Sequence, residues 1–160
     1  MLDGLQLDGL AWKTPSNFTG YGELIRSVSR QHRLEGVVAR RLDGVYERGK
    51  RTGAWLKIKN HRTGVYRVGG WIPDRDGRVD AVLIGKPASS GLLQYVGAVE
   101  LGAIRVLLPA LDGLACADNS FHAYTSRRAR RVKPDLSMLV RYLDTDDRWP
   151  REATFNSVVK

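Results

Sequence analysis

Two short segments carry most of the chemistry that this sequence could perform. In Trp55-Leu56-Lys57-Ile58-Lys59 an apolar residue separates the two lysines. Alternate side chains of an extended strand share a face, so Trp55, Lys57 and Lys59 are expected to point one way and Leu56 and Ile58 the other. The two lysine α-carbons would lie about 6.6 Å apart, near enough for both flexible stems to reach one phosphate. Placed in a cleft, two such ammoniums would stabilise the charge that develops on a phosphoryl group in transfer. The second segment, Glu35-Gly36-Val37-Val38-Ala39-Arg40, ends fifteen residues before Trp55. Its leading carboxylate could hold a divalent cation bridging the same phosphate. Taken alone, the lysine segment also reads as an ordinary amphipathic strand with surface lysines.

The elements that must position these groups follow from the surrounding pattern. Glu35 to Leu42 and Ala54 to Asn60 are short and rich in Val, Ile, Leu and Trp, which predicts two strands joined by a polar, basic loop. Ahead of them, Leu24, Ile25 and Val28 recur at helical spacing between Glu23 and Arg33, an amphipathic helix with an acidic first turn. Residues 1 to 18 hold short apolar pieces and turn signals, read as a strand tail and loop. From Gly64 onward the texture becomes repeated short strands: Val65 to Trp71, Val79 to Lys86, Leu92 to Val99, Leu136 to Leu143 and Ala153 to Val159. Leu101, Ile104, Leu107 and Leu108 suggest a helix ending near Pro109, between the third and fourth of these. Five strands with a helix in that position are the arrangement of the OB-fold barrel. The expected class is therefore α+β, mostly β.

Charge sharpens the picture. Lys and Arg number 26 against 17 Asp and Glu, a net +9, and the stretch Arg26 to Arg67 alone carries that excess while the remainder balances. A field of this kind attracts polyanions, and nucleic-acid binding is built on phosphates neutralised by Lys and Arg. A second basic cluster, Arg127, Arg128, Arg130, Arg131 and Lys133, is offset elsewhere by Asp144, Asp146 and Asp147. Cys116 is the one cysteine, which excludes an intrachain disulfide and a cysteine-based zinc site, and His32, His61 and His122 lack ligand spacing. The longest apolar stretch, Leu101 to Leu111, is interrupted by Arg105 and Pro109 and is too short for a bilayer span. No secretory signal is visible, and a cytoplasmic location is expected.

With both motifs in order, the region resembles the ATP-dependent DNA ligases, specifically the single-chain bacterial kind. Glu35 to Arg40 looks like nucleotidyltransferase motif IV and Trp55 to Lys59 like motif V. Gly69-Gly70-Trp71, Val82-Leu83-Ile84-Gly85 and Tyr95-Val96-Gly97 resemble the OB domain that follows. The resemblance implies a remnant of the adenylation domain over residues 1 to 61 and an OB-fold domain over 62 to 160. It implies nick sealing in DNA repair, replication or recombination, with ATP and Mg2+ as cofactors and nicked duplex DNA as partner. Lys57 and Lys59 would contact the α-phosphate, Glu35 and Arg40 would belong to the nucleotide site, and Glu35 would serve the metal. Arg41, Arg48, Lys50, Arg51 and Arg62 are the expected contacts to the duplex backbone, on charge and loop position.

The sequence also departs from that family. No Lys-x-Asp-Gly nucleophile motif occurs; Gln6-Leu7-Asp8-Gly9 has only its outline, and an amide cannot form the phosphoramidate. The segments that would supply the ribose contact and the adenine-stacking aromatic are absent. Arg40 stands where the family usually has Lys, and in the C-terminal stretch Phe155 to Lys160 only Lys160 is basic. The expected outcome is a C-terminal ligase fragment, inactive by itself, whose nucleophile comes from upstream sequence or a separate chain bearing the N-terminal adenylation half. The alternative is a non-catalytic OB-fold module that grips nucleic acid without chemistry. A capping-type guanylyltransferase fits Trp55 to Lys59 and Gly69-Gly70-Trp71 less well.

Overall fold

The structure is a computed structural model that describes residues 4, 8–14, 16–100, 107–124, 126–143 and 149–159. The first strands, β1 (Asp8–Gly9) and β2 (Trp12–Lys13), form a two-residue antiparallel pair. Helix α1 spans Gly22–Gln31, with Glu23 in its first turn and Arg30 in its last, where each sign complements the helix dipole. It leads into a hairpin of β3 (Gly36–Arg40) and β4 (Trp55–Lys59), antiparallel in unbroken register from Gly36 opposite Lys59 to Arg40 opposite Trp55. Both predicted strands are thus present, each slightly shorter than its apolar run.

Asn60 is all that separates β4 from β5, a strand of 13 residues (His61–Pro73). After it come β6 (Val79–Pro87) and β7 (Leu93–Glu100), helix α2 (Leu108–Asp112), the short β8 (Arg130–Arg131), β9 (Ser137–Leu143) and β10 (Thr154–Val159). β5 pairs with both β6 and β9, β7 pairs with β6 and β10, and β10 pairs with β9, so these five strands close on themselves. β7 and β10 run parallel and the remaining pairs antiparallel. This closed, five-stranded order is that of an OB-fold barrel, which leaves no long sheet edge open. β8 is added outside the circuit against Gly70 and Trp71 of β5.

The core lies inside the barrel. Val68, Val82, Ile84, Val99, Met138 and Val140 are fully buried, and Leu107 and Leu111 close one end. A smaller cluster joins Leu83, Leu93 and Phe121. Glycine is required where a strand meets Phe121: a β-carbon on Gly69 would lie 2.6 Å from its ring. No helix among the described residues is long and apolar enough to cross a membrane.

One sequence expectation is corrected. Pro109 does not end a helix; it sits in the first turn of α2, which begins at Leu108. Proline has no N–H to donate, and the first turn is the one place in a helix where that donor is not needed. Leu101 and Ile104 of the expected helix, the pair Gln6-Leu7, the acidic group Asp144, Asp146 and Asp147, and Lys160 all lie outside the described residues.

Candidate nucleotide and DNA-phosphate site

The hairpin register determines what faces what. Lys57 stands opposite Val38, Lys59 opposite Gly36 and Trp55 opposite Arg40. Cross-strand partners share a face, so the two lysines, Trp55 and Arg40 form one surface. Arg40 lies over the Trp55 ring at 5.3 Å, a cation–π contact that fixes both side chains at the far end of the hairpin. At the near end, a β-carbon on Gly36 would come within 2.2 Å of the Ile58 carbonyl oxygen, and the residue holds φ +155°. Only glycine lets β3 approach β4 closely enough to keep this register.

The lysine ammoniums do not meet at one point; each is met by its own carboxylate. Lys57 donates to Glu35 Oε1 at 2.6 Å, and Lys59 donates to Glu152 Oε1 at 2.6 Å, across 93 residues of chain. Arg151 reaches the other oxygen of Glu35 at 3.9 Å. The result is two adjacent groups of opposite charge, Lys59 with Glu152 and Lys57 with Glu35 and Arg151, along the line where the hairpin meets the barrel. The hydrogen bond from Lys57, reinforced by its charge and by Arg151 and Lys59, holds the Glu35 carboxyl below the usual glutamate range. Lys59 does the same for Glu152. Beside them, burial and then repulsion from Arg141 and Lys59 lower the pKa of His61 below the usual imidazole range.

Asn60, the last residue before the barrel, anchors helix α1 and the entry to β3 against the end of β4. Its amide donates to the Ser29 hydroxyl at 2.6 Å and to the Leu34 carbonyl at 3.0 Å, and its backbone N–H donates to Glu35 O at 2.8 Å. Helix α1, the start of β3 and the end of β4 are thereby tied to one buried side chain immediately before β5. Glu35 and Lys59 owe their relative position to this tie.

Over 146 residues the chain is 32% identical to the multifunctional non-homologous end joining protein LigD of Mycolicibacterium smegmatis, a match covering 84% of this chain and 19% of that protein. The Mycobacterium tuberculosis LigD is 33% identical over 139 residues, 80% of this chain and 18% of its own length. The chain is homologous to the ligase domain of LigD and matches ATP-dependent DNA ligase domains in structure. No protein-family model matches it. The crystal structure of the ligase domain of M. tuberculosis LigD superposes with a TM-score of 0.59 at 28% identity, over 99% of this chain and 54% of that one. A mycobacterial DNA ligase D complexed with ATP gives 0.55 at 29% identity. The chain spans about a fifth of the length of the curated relatives it matches and about half of the solved ligase domain.

Among the sequence-selected residues, the structure brings together Lys57, Lys59 and Glu35 and places Arg40 on the same face of the hairpin. Arg41 is paired with Asp43 at 2.7 Å and Lys50 with Glu47 at 2.7 Å in the exposed loop between β3 and β4, which also carries Arg48 and Arg51. Arg62 lies on β5, exposed, opposite Tyr142. Among the described residues no three acidic, histidine or cysteine side chains group as a metal site, so Glu35 would hold a cation only together with oxygens of the substrate. That mode suits Mg2+, which is commonly bound through one or two carboxylates plus phosphates. Sequence reasoning missed Glu152, Arg151 and Asn60. The first two sit in a polar connection whose local pattern says nothing about a lysine so distant in the chain.

Proposed function

We propose that this chain is the C-terminal part of a nick-sealing ATP-dependent DNA ligase, contributing the phosphate-binding end of the adenylation domain and the OB barrel. In this reading residues 1 to 61 belong to the adenylation unit and 62 to 160 form the OB unit. The observation that supports it best is the pair of ammoniums on one face of β4, flanked by Glu35 and backed by the barrel. Lys57 and Lys59 would exchange their carboxylate partners for the α-phosphate of ATP and later for the adenylated 5′-phosphate of the nick. Their charge would stabilise phosphoryl transfer from that position. Glu35, released from Lys57, would share a Mg2+ ion with the same phosphates, and that metal would supply charge neutralisation during transfer. Arg40 would hold Trp55 as a wall of the nucleotide site, and Arg41, Arg48, Lys50, Arg51 and Arg62 would contact the duplex backbone. The nucleophilic lysine is to be supplied by sequence outside these 160 residues, in the same protein or on a partner chain.

Incubation with ATP labelled at the α-phosphate tests this. The 160-residue chain alone should form no covalent AMP adduct. Mixed with the lysine-bearing half of a mycobacterial ligase domain, it should support adduct formation that Lys57→Ala/Lys59→Ala abolishes. An adduct on the chain alone contradicts the reading. Salt-dependent binding of nicked duplex without any adduct in the mixture would favour the non-catalytic nucleic-acid module instead.

A further inference from the structure

Two consecutive residues of the barrel, Arg151 and Glu152, reach the hairpin with opposite charges and meet opposite groups there. Glu152 accepts from Lys59 through both carboxylate oxygens, and Arg151 stands 3.9 Å from Glu35 Oε2, the oxygen that Lys57 does not take. Lys59 is the more sheltered of the two lysines, with 29% of its side chain exposed against 57% for Lys57. The dipeptide is held from the barrel side. Leu143, the last residue of β9, donates its N–H to the Arg151 carbonyl oxygen at 3.0 Å. Glu152 itself has φ +48°, the left-handed region that glutamate seldom adopts. That conformation is costly without a compensating contact, and the contact it makes is the one to Lys59.

We infer that Arg151-Glu152 is an internal stand-in for a cation and a phosphate, with which the barrel occupies the hairpin site until both are displaced. The inference deepens the proposed function and rests on its reading that Lys57 and Lys59 hold phosphate and that Glu35 shares a cation with it. In the stand-in, the Glu152 carboxylate sits on Lys59 as an anionic oxygen pair, as a phosphate would, and the Arg151 guanidinium faces Glu35 as a positive charge, as a metal ion would. A phosphate arriving at Lys59 is repelled by Glu152, and a divalent cation arriving at Glu35 is repelled by Arg151, so dipeptide and ligand exclude one another. Every incoming ligand must therefore overcome the internal pair, which lowers its apparent affinity by the share of molecules in which the dipeptide is seated. The two residues are positioning residues, acting on substrate only through Lys59 and Glu35.

The test titrates the 160-residue chain with inorganic pyrophosphate, free and as its Mg2+ complex, and follows the amide chemical shifts of β3 and β4. Glu152→Gln should bind pyrophosphate about three- to fivefold more tightly than wild type, the range expected for removing one exposed ion-pair partner. Glu152→Gly, which suits the left-handed backbone as well as removing the carboxylate, should tighten binding equally and guards against a disturbed joint. Arg151→Gln should shift preference toward the Mg2+ complex by about threefold. The controls come from another exposed pair, Asp76 and Arg78, in the turn past the far end of β5. Asp76→Asn and Arg78→Gln change net charge by the same amounts but should leave both affinities within about 1.5-fold, since exposed charges beyond about 8 Å are screened at physiological salt. If Glu152→Gln matches Asp76→Asn, or Arg151→Gln matches Arg78→Gln, the inference is overturned. Lys57→Ala/Lys59→Ala separates this from failure of the underlying reading. Pyrophosphate binding weakened in that variant but indifferent to Glu152 overturns the stand-in alone, whereas binding that is the same with and without the lysines removes the phosphate site and the stand-in together.

Discussion

The motif-bearing hairpin and the barrel beside it are built on opposite principles. In the barrel, Val68, Val82, Ile84, Val99 and Val140 are at 0% exposure and the strands close into a circuit. In the hairpin, Val38 and Leu56 are 60% and 56% exposed, Trp55 is 49% exposed, and the sheet has only two strands. Two strands with so little burial are marginal by themselves. The barrel's residues are therefore fixed by what they bury, whereas the hairpin leaves apolar and charged side chains exposed together. Joining the two are the ion pairs of Lys59 with Glu152 and of Glu35 with Arg151, at the point where Asn60 passes the chain into β5.

Substitutions can break this contrast at its strongest point first. Ile84→Ala should lower stability by about 2–5 kcal/mol through lost burial and the cavity left behind. Leu56→Ala, on the exposed face of β4, should cost less than about 0.5 kcal/mol. Urea unfolding monitored by the buried Trp71 would compare the two directly. Gly36→Ala should cost on the order of 2 kcal/mol, because the added methyl group meets the Ile58 carbonyl. Its effect should be confined to amide exchange in β3 and β4, with barrel amides unchanged. Even in wild type, residues 62 to 160 should be protected as one cooperative unit and the earlier residues less so; uniform protection across both would contradict the contrast.

Smaller effects sharpen the account of the joint. Asn60→Ala should cost about 1.5 kcal/mol, since the Ser29 hydroxyl and the Leu34 carbonyl lose their donor. Glu152→Gln should change stability at neutral pH very little, as exposed ion pairs contribute little. Its signature is in pH. Both Glu35 and Glu152 have carboxyls held below the ordinary 4.5, so the stability they contribute is fully present above that value. It is lost as pH falls through their lower folded-state values, because protonation releases the lysines. In Glu152→Gln the acid-range part of this loss that belongs to Glu152 should disappear from a thermal-stability profile, while the neutral range stays flat.

Much of this was legible in the residues because it rests on short-range periodicity. Alternation in Trp55 to Lys59 placed both lysines on one face, and the apolar runs after Gly64 gave the strands of the barrel. What escaped depends on chain closure. No local pattern brings Glu152 onto Lys59, and the pairing arises only because β9 and β10 return the chain beside the hairpin. Pro109 was misread because the same residue can end one helix or begin another, and the choice depends on which neighbours bury.

The most direct test of the central claim, that the β4 lysines hold a substrate phosphate, is a titration with nicked duplex whose 5′-phosphate already carries AMP. Wild type should bind it with a steep dependence on salt, and Lys57→Ala/Lys59→Ala should weaken binding about tenfold and lower the slope by about two. Identical affinity and slope in the two proteins would contradict the claim.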